Sequence, residues 1–215
     1  MTMEIIDCKK DPCADCGLHE SDIKKAVNGL KDGKLVVYPT ETVYGLGANP
    51  FDEAAVKRVF MAKNRPFDMP LSIAVADIEM MEDITVLNDD ARKLVRKFLP
   101  GPLTLIVKKK PRVPDIVTYS SQNVGIRIPD HPLALRLIRE FGPIIATSAN
   151  LHSHPDAVEA DTAKADLGDN ADMLIDCGPC RLGKPSTIIY MANGQFELIR
   201  AGAITREEIE AALNE

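Results

Sequence analysis

Short runs of aliphatic and β-branched residues alternate with patterns of helical period along most of this chain, and that alternation admits few architectures. Leu35-Val36-Val37-Tyr38 is apolar at every position, which marks a strand buried on both faces. Ahead of it, Ser21 can cap a helix in which Ile23, Ala26, Val27 and Leu30 recur at helical spacing, with Gly33 as its stop. After a loop over residues 39–50, Asp52 opens a helix with Ala55, Val56, Val59 and Phe60 on one face, and Pro66 lies beyond its end. The same reading predicts strands over residues 71–75, 103–107, 124–128, 144–146 and 173–175, and helices over 89–98, 131–141 and 161–167. Residues 111–122 read as a polar turn or mobile loop. Strands over 187–191 and 195–199 flank Asn193-Gly194, a hairpin signal, and a last helix runs from a Thr205 cap through Ile209 to Leu213. The expected class is α/β, a twisted mixed parallel and antiparallel sheet with flanking helices. No repeat or linker divides the 215 residues, so one domain is expected, with residues 1–20 as a Cys-containing N-terminal extension.

Several function classes are disfavoured by composition. No apolar stretch approaches the roughly 20 residues of a membrane span, and the N-terminus lacks the basic and apolar regions of a secretory signal. The expected location is cytoplasmic. A net charge of -6 argues against a surface built throughout to attract nucleic acid, and the basic run at residues 108–112 reads as a solvated strand end or turn. Five cysteines, an odd number, speak against a disulfide framework. Cys13, Cys16, Cys177 and Cys180 could hold zinc tetrahedrally, but the two halves lie far apart and carry no zinc-ribbon context, so independent thiols are expected.

The polar residues with chemical potential gather where strands end, which is where α/β folds place sites. Residues 39–47 combine Thr40, Glu41 and Thr42 with Gly45 and Gly47. They form either a binding loop or a turn whose hydroxyls satisfy nearby amides and whose glycines supply unusual backbone angles. Lys63-Asn64-Arg65 closes the second helix. There the cations either complement the helix dipole or hold a polyphosphate, lysine as a point charge and arginine as a fork. Thr147-Ser148-Ala149-Asn150, Pro185-Ser186-Thr187 and Arg200 adjoin other strands and are equally ambiguous taken singly. His19, His131, His152 and His154 form no legible triad or metal motif, and no metal ligands are assigned to the site.

Taken together, YPTETVYGLGA, KNRP, VGIRIPDHP, TSAN, GKPSTII and IRAGAI occur in that order. They resemble the YrdC-type threonylcarbamoyl-adenylate synthases over residues 21–215, in the short, single-domain form. The resemblance implies a large concave cavity in which threonylcarbamoyl-AMP and pyrophosphate are made from L-threonine, bicarbonate and ATP, for N6-threonylcarbamoyladenosine in tRNA. It implies Mg2+ accompanying ATP, and work alongside a separate threonylcarbamoyl-transferase complex. Carried over by motif, Thr40, Arg127, Ser148 and Ser186 lie on the threonine side, with Thr40 and Arg127 orienting its hydroxyl and carboxylate. Lys63, Arg65, Asn123, Asn150 and Arg200 lie on the ATP side, and Lys63 with Arg65 would bear the charge of the transferring phosphate. No protein nucleophile is needed, since orientation and charge stabilisation can supply most of the catalysis. The chain departs from the family pattern over residues 151–158. Two alternatives stand beside the enzyme: a module binding tRNA or double-stranded RNA, and a nucleotide-binding regulator that makes no adenylate.

Overall fold

A computed structural model describes residues 2–8, 19–192 and 195–214. The chain enters through β1 (Glu4–Asp7) and α1 (Glu20–Lys31), then β2 (Val36–Tyr38), β3 (Gly45–Gly47), α2 (Glu53–Ala62) and β4 (Ser72–Ala74). Next come α3 (Ile78–Ile84), β5 (Thr85–Val86), α4 (Asp89–Phe98), β6 (Leu103–Lys109), α5 (Asp115–Thr118) and β7 (Asn123–Arg127). The C-terminal part carries α6 (Pro132–Phe141), β8 (Ile144–Ser148), α7 (Ala160–Leu167), β9 (Met173–Asp176), β10 (Thr187–Ala192), β11 (Gln195–Arg200) and α8 (Arg206–Asn214).

The strands form one mixed sheet in the order β1-β9-β2-β3-β8-β4-β7-β6-β10-β11, with β5 beside β6. Pairs β1/β9, β2/β9, β4/β7 and β6/β10 are parallel, and the rest antiparallel. The uniformly apolar second strand has a direct cause. Val36 and Tyr38 pack with α1 and α6 on one face, while Leu35 and Val37 join the core on the other, which α2 and α4 cover. Burying each such side chain stabilises the fold by about 1.5–3 kcal/mol before conformational entropy is counted.

Helix starts follow cap chemistry where the sequence offers it. Asp52 accepts hydrogen bonds from the amides of Ala54 and Ala55, and Asn88 from that of Ala91. The first helix differs from expectation: it begins two residues earlier, with His19 and not Ser21 at the N-cap, so Glu20 and Asp22 lie in its first turn. Residues 111–122 contain a short helix, α5, where a polar turn or mobile loop was expected. Elements β1, α3, β5 and β3 carry no period long enough to read. Of the expected hairpin, β10 and β11 pair as anticipated, while Asn193-Gly194 lies outside the described residues.

The expectation of independent thiols is corrected at Cys8. It follows β1 directly as Cys177 follows β9, and because Asp7 lies opposite Asp176 the two cysteines are the next step along adjacent parallel strands. They are joined as a disulfide with a Cα–Cα distance of 5.0 Å. Cys180 is a free, half-buried thiol, and Cys13 and Cys16 lie outside the described residues. Among the described residues no helix is long and apolar enough to cross a membrane.

Candidate active site

Five segments bring their polar residues to one cavity of about 770 Å3, counted with its open mouth. Thr40 comes from the loop after β2, Arg65 from just beyond α2, Arg127 from the end of β7, Ser148 from the end of β8, and Ser186 and Arg200 from the β10 and β11 hairpin. Close packing lets these strand ends converge. Gly45 and Gly47 lie under the Tyr38 ring, and a Cβ at either would come within 2.9 to 3.1 Å of it. Neither has a positive φ among the described residues, so the two glycines serve contact with a ring rather than unusual backbone angles.

Thr40 is committed to its own turn. Its hydroxyl donates to the Val43 carbonyl at 2.6 Å and accepts from the amides of Thr42 and Val43. With that hydrogen engaged, the 2.9 Å contact with Thr42 runs from the Thr42 hydroxyl to Thr40. Thr42 in turn accepts from Nη1 of Arg127 at 3.3 Å. The turn reading of this loop is realised in these bonds, and Thr40 lines the cavity as well; its single hydroxyl hydrogen is spent on Val43, so a substrate group there would have to displace one of the turn's own bonds. In the same wall, Ser148 lies opposite Gly45 across β3 and β8 and its hydroxyl makes no hydrogen bond among the described residues.

Three guanidinium groups face the cavity. Arg65 is held by its Nε on the Met69 carbonyl at 3.1 Å and its Nη2 on the Pro70 carbonyl at 2.9 Å. Arg200 is held by Nε and Nη2 on the Ser186 carbonyl at 3.2 and 2.8 Å, and Nη2 also reaches Ser186 Oγ, which contacts the Thr104 hydroxyl at 2.9 Å. Burial, and then the charge of Arg200, pull Arg65 below the usual arginine range. Burial does the same to Arg200, opposed by Asp156 and assisted by Arg127. Like charges held this close favour an anion between them.

Three residues expected in the site are placed elsewhere. Lys63 is 2% exposed and lies beneath the wall. Its ammonium donates to the carbonyl of Ser148, to the Asn150 carbonyl at 2.6 Å and weakly to Asn150 Oδ1. It thus ties the end of β8 and the residues after it to the end of α2, and it is not among the residues that line the cavity. Asn150 is engaged in the same knot, its Nδ2 donating to the His154 carbonyl at 2.6 Å. Asn123 opens β7 and lines a different hollow with Asn88 and Lys108. What the motif reading missed is Asp156, the carboxylate of the cavity wall; it lies in the segment that departs from the family pattern, so no motif pointed to it.

The buried ammonium has a titration of its own. Burial, and next the charge of Arg65, lower the Lys63 pKa from 10.5 to about 8. Between those values the unfolded chain holds the proton that the folded chain has lost, so this group's contribution to stability grows as pH rises, while the positive charge beneath the cavity disappears. The affinity for inorganic triphosphate measured by calorimetry is expected to fall severalfold between about pH 7 and pH 9 in the wild type, and much less in Lys63→Met. Parallel profiles would show that the charge of Lys63 does not reach the ligand.

A sheet whose strand ends gather three arginines and a ring of hydroxyls around an open cavity defines an α/β protein built to bind an anionic ligand. Comparison with known proteins places it further. The family model described as telomere recombination, Sua5/YciO/YrdC, matches residues 28–202, and the chain belongs to that family. It is 43% identical over 198 residues to a threonylcarbamoyl-AMP synthase of Bacillus subtilis, covering 91% of this chain and 57% of that one. A putative threonylcarbamoyl-AMP synthase of Methanocaldococcus jannaschii is 41% identical over 198 residues, 89% of this chain and 93% of that one. The crystal structure of Pyrococcus abyssi Sua5 complexed with L-threonine superposes with a TM-score of 0.90 at 38% identity, over 99% of this chain and 61% of that one. The chain thus spans about three fifths of the length of the Bacillus and Pyrococcus relatives.

Proposed function

We propose that this chain makes threonylcarbamoyl-AMP and pyrophosphate from L-threonine, bicarbonate and ATP, and so activates the group destined for N6-threonylcarbamoyladenosine in tRNA. The observation that carries this reading is the convergence of Arg65, Arg127 and Arg200 on one cavity lined with hydroxyls. It suits one amino-acid carboxylate and one polyphosphate. The names of the relatives and the threonine complex of the Pyrococcus protein support the enzyme over an RNA-binding module or a silent regulator.

In this reading the threonine carboxylate rests on Arg127, and the threonine amine condenses with bicarbonate to a carbamate, releasing water. A carbamate oxygen then attacks the α-phosphorus of ATP, the bond to the β-phosphate oxygen breaks, and pyrophosphate leaves. Arg65 and Arg200 hold the phosphates as planar forks. Lys63 acts from below, fixing the residues after β8 and adding charge across a short distance. Among the described residues no group of three or more His, Cys, Asp or Glu side chains stands together to hold a metal. Magnesium would enter as the counter-ion that ATP brings, and Asp156 is the carboxylate of the cavity wall. The adenylate would pass in the cytoplasm to a separate threonylcarbamoyl-transferase complex acting on tRNA.

The decisive assay follows pyrophosphate release with each substrate omitted in turn. Release that requires threonine, bicarbonate and ATP together is expected; release indifferent to threonine would remove the reading. Substrate choice gives a second test. Threonine and valine are nearly equal in shape, so only a group that hydrogen-bonds the hydroxyl can tell them apart, and Ser148 offers a free hydroxyl in the wall. A buried polar group left unpaired costs about 1–3 kcal/mol. Valine is therefore expected to react at least about tenfold more slowly than threonine, and serine, which lacks only a methyl, to lose about 1 kcal/mol. In Ser148→Ala the preference over valine should collapse; competition kinetics in which it survives would leave Ser148 without that role.

A further inference from the structure

Arg127 differs from the other two cavity arginines in its partner. Arg65 and Arg200 are held by neutral carbonyl oxygens and form no ion pair among the described residues, although the charge of Asp156 acts on Arg200 from the cavity wall. Arg127 instead donates through Nη2 to Oε1 of Glu41 at 2.6 Å, an ion pair in which the Glu41 side chain is 0% and the Arg127 side chain 11% exposed. Glu41 does not line the cavity, whereas Arg127 does. The Glu41 backbone is fixed as well, its carbonyl accepting from the Leu182 amide at 2.8 Å. Thr42 takes one further N–H of Arg127, from Nη1. Both Oε2 of Glu41 and Nε of Arg127 are buried without a partner. The pair is therefore joined by a single bond, not by the two parallel bonds that arginine and carboxylate form when unconstrained.

We infer that Glu41 is a positioning and specificity residue that assigns Arg127 to the amino-acid carboxylate and keeps the triphosphate off it. The argument rests on the reading of Arg127 given above. A guanidinium already paired with a buried carboxylate carries little net charge, so a polyphosphate gains less there than at Arg65, or at Arg200, which feels the charge of Asp156 but forms no ion pair among the described residues. A single carboxylate can still use the remaining N–H groups of a fork held in place by Glu41 and Thr42. Like-charge crowding against Glu41 penalises each further negative charge on the ligand, and a triphosphate carries several more than threonine. Discrimination between the two anions thus comes from an unfavourable element as much as from a favourable one.

The test uses Glu41→Gln, which keeps shape and an acceptor but removes the charge, Glu41→Ala, and Arg127→Lys as reference, each checked for folding by circular dichroism. For Glu41→Ala the threonine KM is expected to rise about tenfold with kcat and the ATP KM within about twofold, and for Glu41→Gln about threefold. Inorganic triphosphate should compete with threonine in both Glu41 variants and not in the wild type, a gain that a merely structural role would not produce. If Glu41→Ala does not fold, Glu41→Gln alone decides through the same competition. Unchanged threonine KM and no triphosphate competition in a folded Glu41 variant, or kcat and both KM values shifting together, would overturn the inference. Should Arg127→Lys leave the threonine KM untouched, the carboxylate role of Arg127 itself fails; should it raise KM while the Glu41 variants do not, only the inference about Glu41 falls.

Discussion

Alanine in place of Arg65 is expected to slow pyrophosphate release at least about tenfold while the fold is retained. The guanidinium is anchored on the carbonyls of Met69 and Pro70 and lines the cavity, and among the described residues no carboxylate lies within hydrogen-bond reach of it. A charged hydrogen bond contributes about 1.5–3 kcal/mol, and each 1.36 kcal/mol lost only in the transition state is about tenfold in rate. Arg65→Lys keeps the charge but neither the fork nor both carbonyl anchors, so its rate should fall between the two. Single-turnover measurement separates a loss in chemistry from a loss in ATP binding. Turnover at the wild-type rate in Arg65→Ala would mean that the phosphates do not pass this residue.

A second large effect is expected at a residue that touches no ligand. A Cβ added at Gly202 would overlap the amide nitrogen of Thr187 and come within 2.5 Å of the Pro185 carbonyl oxygen and the Ser186 carbonyl carbon. All are backbone atoms, so no side chain can turn aside to make room. The same contact positions the site: the Ala203 amide donates to the Pro185 carbonyl at 3.2 Å, and Arg200 grips the Ser186 carbonyl. Gly202→Ala should therefore part the segment after β11 from the start of β10, at a cost of about 1–3 kcal/mol or more. For a chain of this size that lowers Tm by several degrees, at about 2–4 °C per kcal/mol. ATP affinity should fall with it, because Arg200 and Ser186 separate. Thermal unfolding with and without ATP measures both, and a variant that melts within about one degree of the wild type and keeps its ATP-induced shift would refute the account.

The fold was legible where a period was long. Val36 and Tyr38 on one face and Leu35 and Val37 on the other make an unbroken apolar run, and Asp52 and Asn88 announce their helices through a cap that needs only the next few residues. The elements β1, β3, β5 and α5, of two to four residues each, hold too few positions to show a period and, unlike residues 35–38, lie in no unbroken run of four large apolar residues. Cys8 and Cys177 make the same point, since 169 residues separate them and only the parallel register of β1 on β9 brings them together.

Which residues surround the site was largely a matter of motif order, and the cavity gathers Thr40, Arg65, Arg127, Ser148, Ser186 and Arg200 from it. What each polar group is free to do was not. Thr40 is closed by bonds within three residues of itself, Lys63 is occupied by carbonyls 85 and 87 residues on, and Arg127 is held by a glutamate 86 residues back. The sequence by itself determined the residue types, the alternating elements and the family, because propensity, capping and side-chain periodicity act over a few positions. Only the tertiary structure decided which hydroxyl remains open, which cation faces the ligand and which is buried beneath it, because a hydrogen bond consumes a donor and its partner is chosen by how the sheet brings distant strand ends together.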